Sequence, residues 1–292
     1  MQTAYIYALC ANACFAVATL FFTHYTRKLS SLWMNTFKAS VALVCFGAMN
    51  LYLGGFHPIT TYNFLVFFIS GFLALGIGDV FLLNAFKEMG TGRTLVLFGF
   101  HPVIVGVVSF IAFDQAISSK KLVVILLFIL CLIIFSVENF RKTKSWDLKG
   151  ILLALLGMSF DAVGVTITRY GFNLNENLTA FEGNFYRCLG AIVAYILLSY
   201  WYPFSFVAGF KKLRWRSRGL VFIGAFLGTF LSLAFYLEAI KTSHLATISA
   251  ISITGVTMSA GLECLWEKKA PSIYLLGALS LLSLGLWILF DT

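Results

Sequence analysis

Charged side chains are scarce in this sequence. Asp, Glu, Lys and Arg make up only 11% of its 292 residues, where a soluble domain of this size carries about a quarter. That shortage excludes an ordinary water-facing surface. Proline occurs four times, at Pro58, Pro102, Pro203 and Pro271. Cys10, Cys14, Cys45, Cys131, Cys188 and Cys264 form no C-x-x-C pair and all fall in apolar stretches. They read as small apolar filler rather than as disulfides or metal ligands. His24, His57, His101 and His244 are scattered without an H-E-x-x-H pattern, and no G-x-x-x-x-G-K-[ST] phosphate loop occurs. An intramembrane metalloenzyme and an ATP-driven machine are thereby disfavoured, and neither a cofactor nor a metal is expected.

Apolar residues are what the chain has: 60% of the total, with a mean hydropathy of +0.91. A bilayer span takes about 20 mostly apolar residues. Ten such segments can be read, at roughly 3–23, 33–53, 62–83, 93–113, 120–139, 149–168, 182–201, 219–238, 243–265 and 272–290. The predicted fold is an all-α membrane protein of ten transmembrane helices, multi-pass, in a bacterial inner membrane. No length is left for a soluble domain, so any function lies among the helices. The first span begins almost at Met1 without a cleavage-like ending and reads as a retained helix. Asn177-Leu178-Thr179 matches a glycosylation acceptor, which matters only in a secretory-pathway protein.

The formal charge of +9 is no nucleic-acid signature, because the basic residues sit in short connections between spans. The odd-numbered connections hold 15 of the 21 and the even-numbered ones 4, with Lys38 and Arg187 inside spans. Excess Lys and Arg mark the cytoplasmic side. This count places the odd connections inside and both termini outside.

The chain repeats itself about the basic connection around Trp146, giving segments 1–143 and 147–292. Phe15, Thr23 and Tyr25 recur 145 residues later as Phe160, Thr168 and Tyr170. Asn35, Phe37 and Lys38 recur after 149 residues as Asn184, Tyr186 and Arg187, and Asn84-Ala85-Phe86-Lys87 after 154 as Glu238-Ala239-Ile240-Lys241. Several matches in order on corresponding helices indicate a duplication. With five helices per repeat, the second must enter the membrane in the opposite sense. The expected architecture is therefore two inverted five-helix repeats, able to rock about a midplane site. Gly224-x-x-x-Gly228 and the run Gly71, Ala74, Gly76, Gly78 are read as close helix contacts.

Further residues point to a family. Lys38 and Arg187 lie near the starts of the second helices. Ala85 through Gly92 and Ala239 through Ala246 join the third helices to the fourth. Pro102 stands within the fourth span, and Asp114 and Glu267 close the fourth helices. In these features the whole chain resembles the drug/metabolite transporter superfamily, EamA type. It departs from the pattern at Gly255-Val256, where the second repeat lacks the proline, and at Phe15, where a tryptophan is common. The resemblance implies a secondary transporter with both termini in the cytoplasm, the reverse of the charge count. It implies a small polar or zwitterionic metabolite, an amino acid or a relative, with export as the expected direction. The alternative within the class is an anionic phosphorylated or nucleotide-linked metabolite. A passive channel or membrane scaffold is the reading from a different class.

A charge near the bilayer centre costs roughly 2.5–3.5 kcal/mol or more, so ionisable residues in spans need a reason. Asp161 is the sharpest candidate: it can bind a substrate ammonium or exchange a proton, or instead pair with Lys38 or Arg187. Asp79 can serve the site or pair locally with Lys87. Lys38 and Arg187 can hold a carboxylate or phosphate, or snorkel to head groups. Arg93 can contact substrate or cap its helix. His101 can relay protons or merely bond a neighbouring helix. Thr247, Ser249, Ser252, Thr254, Thr257 and Ser259 make the ninth span rich in hydroxyls, suited to a polar pathway or to interhelix bonds. Tyr7, Phe15, Trp33 and Tyr186 can frame a pocket for a cation, and Trp33 and Trp201 read as interface anchors. The expected partners are a small-molecule substrate, the bilayer, and protons or a counter-substrate; a monomer suffices and a dimer is compatible.

Overall fold

The computed structural model describes residues 2–26, 28–89, 91–98, 101–113, 148–267 and 272–290, with residue 270 and scattered positions between 122 and 141. The described residues of the first half form α1 (Gln2–Thr26), α2 (Ser31–Tyr52), α3, α4 (Thr91–Phe98) and α5 (His101–Phe113). Helix α3 runs from Thr61–Gly71 through a π-helical stretch, Phe72–Gly78, into Asp79–Met89. The second half gives α6 (Leu148–Leu174), α7 (Ala180–Trp201), the short α8 (Phe206–Lys212) and α9. Helix α9 likewise passes from Trp215–Ala225 through π-helical Phe226–Leu231 into Ser232–Thr242. Next come α10 (Leu245–Ile251), α11 (Ile253–Glu267) and α12 (Ile273–Phe290).

Local chemistry sets the starts. Ser30 accepts from the Trp33 amide before α2, and Thr60 accepts from that of Asn63 before α3. Thr179 forms a capping box with Glu182 at α7, satisfying amides that a helix start leaves free. The threonine of the glycosylation-like triplet is thus taken up as a cap.

Among the described residues, Gln2–Thr26, Ser31–Tyr52, Thr61–Glu88, Leu148–Leu174 and Trp215–Thr242 are each long and apolar enough to cross a bilayer. Helices α7 and α8, bent by 93°, make a sixth if taken as one span. Large apolar side chains point outward along these helices, among them Val44, Leu152 and Ile196, which suits lipid and not water.

The span predicted at 93–113 is described as Thr91–Phe98 and His101–Phe113, with residues 99 and 100 outside the described residues. The span predicted at 243–265 divides into two helices at Ser252, whose hydroxyl bonds back to the Ile248 carbonyl at 3.3 Å. Half of the span predicted at 120–139 falls outside the described residues, as do Asp114 and the side chain of Glu267.

The packing is reciprocal. Helix α3 lies on α6 and α7, while α9 lies on α1 and α2. Helices α4 and α5 pack on α6, as α10 and α11 do on α1, and α2 meets α7. Exchanging the halves leaves this pattern unchanged, as a two-fold requires. Two clasps fix its direction. His57, beyond the end of α2, donates its amide to Glu182 Oε1 near the start of α7 at 2.5 Å. Phe206, beyond the end of α7, accepts from Trp33 Nε1 near the start of α2 at 2.9 Å. The two positions in each half are related by the 149-residue offset. Each helix therefore ends where its counterpart begins, so α2 and α7 run antiparallel and the two-fold lies across them.

Close approach is built in. A Cβ on Gly71 would overlap the Arg187 carbonyl, and one on Gly190 the Phe68 carbonyl, so α3 and α7 touch backbone to backbone. A Cβ on Gly228 would strike Ala18 and Phe22, and one on Gly224 would come within 3.0 Å of Phe21. The small residues read as packing positions are helix contacts.

Candidate functional site

A cavity of about 160 Å³ lies between the two halves, with walls from α1, α2, α3, α4, α5, α6, α9, α10 and α11. Both π-helical stretches reach it, through Leu75 and Gly78 on one side and Gly228 and Thr229 on the other. Side chains from the second helices bond carbonyls within or just after these stretches. Tyr195 on α7 donates its hydroxyl to the Leu75 carbonyl. Asn35 Nδ2 donates to the Asp79 carbonyl at 3.0 Å, and Asn184 Nδ2 to the Leu233 carbonyl at 2.9 Å. These asparagines are repeat equivalents, and so are the carbonyls they hold.

The ionisable residues form two pairs on the cavity wall. Lys38 Nζ stands 2.6 Å from Asp79 Oδ2 and 5.2 Å from the centre of the Phe22 ring. His101 Nε2 stands 3.1 Å from Asp161 Oδ2, within ion-pair distance but out of line for a hydrogen bond. Their exposures differ in a way that matters: the Asp161 side chain is 31% exposed and Asp79 20%, while Lys38 and His101 are at 5% and 6%. The carboxylates face the opening and the bases stand behind them. Lys38 turns to Asp79 on the cavity wall rather than out to head groups, and Asp79 pairs with Lys38 rather than with Lys87.

Asp161 pairs with neither Lys38 nor Arg187. Arg187 is buried beside the cavity without lining it; its Nε donates to Ser70 Oγ at 3.2 Å and its Nη1 to Asn184 Oδ1 at 3.4 Å. The side chain of Arg93 lies outside the described residues.

Phe15 and Ser252 line the cavity. Tyr186 does not: its ring is 5.5 Å from that of Phe64 and 5.8 Å from that of Phe185, in an aromatic cluster away from the opening. Tyr7 stacks on Phe235, with ring centroids 6.1 Å apart. Trp33 is buried rather than at a lipid interface, because its indole N–H serves the clasp and its ring packs in a cluster with those of Phe37 and Phe206. Trp201 is 72% exposed at the end of α7. The hydroxyls of the ninth predicted span divide in purpose. Ser249 and Ser252 face the cavity, whereas Thr254 accepts from Asn12 Nδ2 at 2.9 Å and Ser259 lies 3.2 Å from the Thr19 hydroxyl.

Asn12, Thr229, Ser232 and Tyr236 also line the opening and escaped the sequence reading. For Asn12 a signal existed, an amide inside an apolar span. Its Nδ2 holds the carbonyl of Ile251, the last residue of α10, at 2.8 Å. Among the described residues, no group of three or more His, Cys, Asp and Glu side chains could hold a metal ion.

A model described as the EamA-like transporter family matches residues 2–137 and 148–291, one match in each half. A chain in a crystal structure described only as that of a protein is similar over 99% of this chain and 96% of its own, with a TM-score of 0.78 and 13% identity. At that identity the likeness is one of fold alone. No curated protein matches the chain.

Proposed function

The chain belongs to the EamA-like transporter family, and on that premise we propose that it carries a small polar metabolite bearing an ammonium group, an amino acid or a close relative, by alternating access. As an integral multi-pass protein of this family it is a membrane transporter. The proposal adds the substrate class, the ten-helix topology and the mechanism. The two five-helix repeats stand inverted in the bilayer, as the antiparallel α2 and α7 suggest. They rock about the cavity between them, opening it to one side and then the other. Export is the direction proposed.

The observation that carries the substrate class is the order of charges at the cavity wall. Of Asp161, Asp79, Lys38 and His101, Asp161 is the most exposed, while Lys38 is neutralised by Asp79 and Arg187 lies behind. An ammonium meets a carboxylate there, and Phe15 and Tyr236 also line the cavity, aromatic rings of the kind that hold a cation. Among the described residues, a phosphate would meet a carboxylate and no base without an acidic partner. Size points the same way: a cavity of about 160 Å³ is close to one of about 150 Å³ that takes benzene, too small for a nucleotide.

A thermal-shift screen of detergent-purified protein tests the reading, since a ligand that binds only the folded state raises the melting temperature. Stabilisation by amino acids or amines, lost in Asp161→Asn, supports it. Stabilisation by nucleotides or sugar phosphates alone, lost on substitution of Lys38 or Arg187, overturns it in favour of an anionic solute.

A further inference from the structure

The connection from α7 to α9 runs over 202–214, against 53–60 for its counterpart between α2 and α3. The longer one carries what the shorter lacks. Lys211, Lys212, Arg214, Arg216 and Arg218 fall within eight residues, whereas 53–60 hold no Lys or Arg. No Asp or Glu stands between Glu182 and Glu238 in the sequence. Among the described residues, no carboxylate pairs with any of the five.

The five charges divide by exposure. Arg218 is taken up internally: its Nε donates to the Leu213 carbonyl at 3.0 Å, and its guanidinium carbon lies 4.8 Å from the centre of the Phe210 ring. Lys211, Lys212, Arg214 and Arg216 are exposed. Helix α8 turns 93° from α7, so it leaves the line of that span and lies across it. One face of α8 is fixed on the first half. The rings of Phe206 and Phe210 pack against that of Phe37, and a Cβ on Gly209 would overlap the Trp33 indole. The free face carries Val207 with Lys211 one turn on, and Ala208 with Lys212, all exposed. Trp201 and Tyr202 before α8 and Trp215 after it are exposed as well, and such rings settle at the level of lipid headgroups. A short helix at that level, with small apolar residues and then cations on its free face, presents positive charge where lipid phosphates lie.

We propose that α8 and the start of α9 bind the headgroups of anionic phospholipids through Lys211, Lys212, Arg214 and Arg216, and that a headgroup held there braces α8 on α2, across the joint between the two halves. The surface is separate from the cavity, and the proposal does not depend on which solute the cavity takes. Charge complementarity selects the occupant. A zwitterionic headgroup brings no net charge to four unpaired cations, whereas an anionic one does. Each Lys or Arg near such a surface is worth about fivefold in binding.

The test melts full-length protein in neutral detergent micelles carrying phosphatidylglycerol or phosphatidylcholine, since a lipid bound only by the folded state raises the melting temperature. Phosphatidylglycerol is expected to stabilise wild type more than phosphatidylcholine does, by an excess that shrinks in high salt. In Lys211→Gln, Lys212→Gln of unchanged elution volume, the phosphatidylglycerol needed for half the effect is expected to rise at least tenfold. Lys142→Gln, Lys144→Gln, which removes as much charge from another odd-numbered connection, is expected to stay within twofold of wild type. Equal stabilisation by the two lipids, or equal loss in the two double variants, overturns the proposal and leaves the cluster as an orienting signal alone. The same stabilisation by glycerol 3-phosphate or by polyglutamate overturns it in favour of a soluble phosphate or an acidic protein. A second arm needs no change in the basic residues. Phosphatidylglycerol with brominated chains is expected to quench tryptophan fluorescence more than brominated phosphatidylcholine does, and the excess to vanish in Trp201→Phe, Trp215→Phe. Equal quenching, or an excess that survives in that variant, overturns the placement of the lipid.

Discussion

Lys38 Nζ lies 2.6 Å from Asp79 Oδ2, on neighbouring helices of one half. The cation that a sequence reading offers to an anionic solute is thus already matched by the chain's own acid. Its repeat equivalent, Arg187, has no such partner, because the position equivalent to Asp79 is Leu233. A duplicated frame has been given unequal charges at these two positions.

Breaking this pair by halves is expected to be worse than removing it whole. Lys38→Met leaves a buried carboxylate without its cation, a loss on the order of 3 kcal/mol. The double variant Lys38→Met, Asp79→Leu is expected to recover most of that. Melting temperatures in one detergent check it; a double variant as weak as the single would contradict the assignment.

The matched asparagines are expected to behave alike. Asn35→Ala and Asn184→Ala each strip the side-chain partner from a carbonyl beside a π stretch, at a loss of about 1–3 kcal/mol. Because the bonds join different helix pairs, the two losses are expected to add. Melting of both single variants and the double decides; a neutral Asn184→Ala would show that its bond does not hold the helix.

Gly71 cannot take a side chain without separating α3 from α7. Gly71→Val is expected to lower the yield of folded, monodisperse protein or to cost more than the roughly 1–3 kcal/mol of ordinary overpacking, since the obstacle is a backbone carbonyl. Gly219→Val, with nothing near its Cβ position, serves as the control. Equal behaviour on size-exclusion chromatography would contradict the packing.

Much of this was legible in the sequence. Long apolar runs announced the helices, and the ordered recurrence of Phe15, Asn35 and Lys38 announced the duplication. The π stretches were not, because one extra residue per turn barely disturbs an apolar run, and Gly76 and Gly228 read equally well as packing. The break at Ser252 was hidden for the same reason. Of the site, Asp161, Asp79, Lys38, His101, Phe15 and Ser252 were picked as polar or aromatic residues in apolar surroundings, and all line the cavity. Their partners could not be read. Asp79 has Lys87 two turns away on its own helix, yet meets Lys38, which only the packing of α2 on α3 brings near. Tyr186 and Trp33 share the aromatic character of Phe15 and turn elsewhere.

The charge count between spans makes a topology prediction. With Lys211, Lys212, Arg214, Arg216 and Arg218 in one connection, the positive-inside rule puts that connection in the cytoplasm and both termini outside. An epitope placed after Thr292 is expected to be reached by antibody on intact spheroplasts. Protection until the membrane is opened would instead support the cytoplasmic termini that the family resemblance implies.

The most direct test of the central claim is counterflow in proteoliposomes: vesicles loaded with unlabelled alanine or propylamine, then given the labelled compound outside. The account predicts saturable uptake that depends on the internal load in wild type and is abolished in Asp161→Asn of unchanged helicity and elution volume. Uptake by wild type that does not saturate or ignores the internal load, or saturable counterflow that survives in Asp161→Asn, would contradict it.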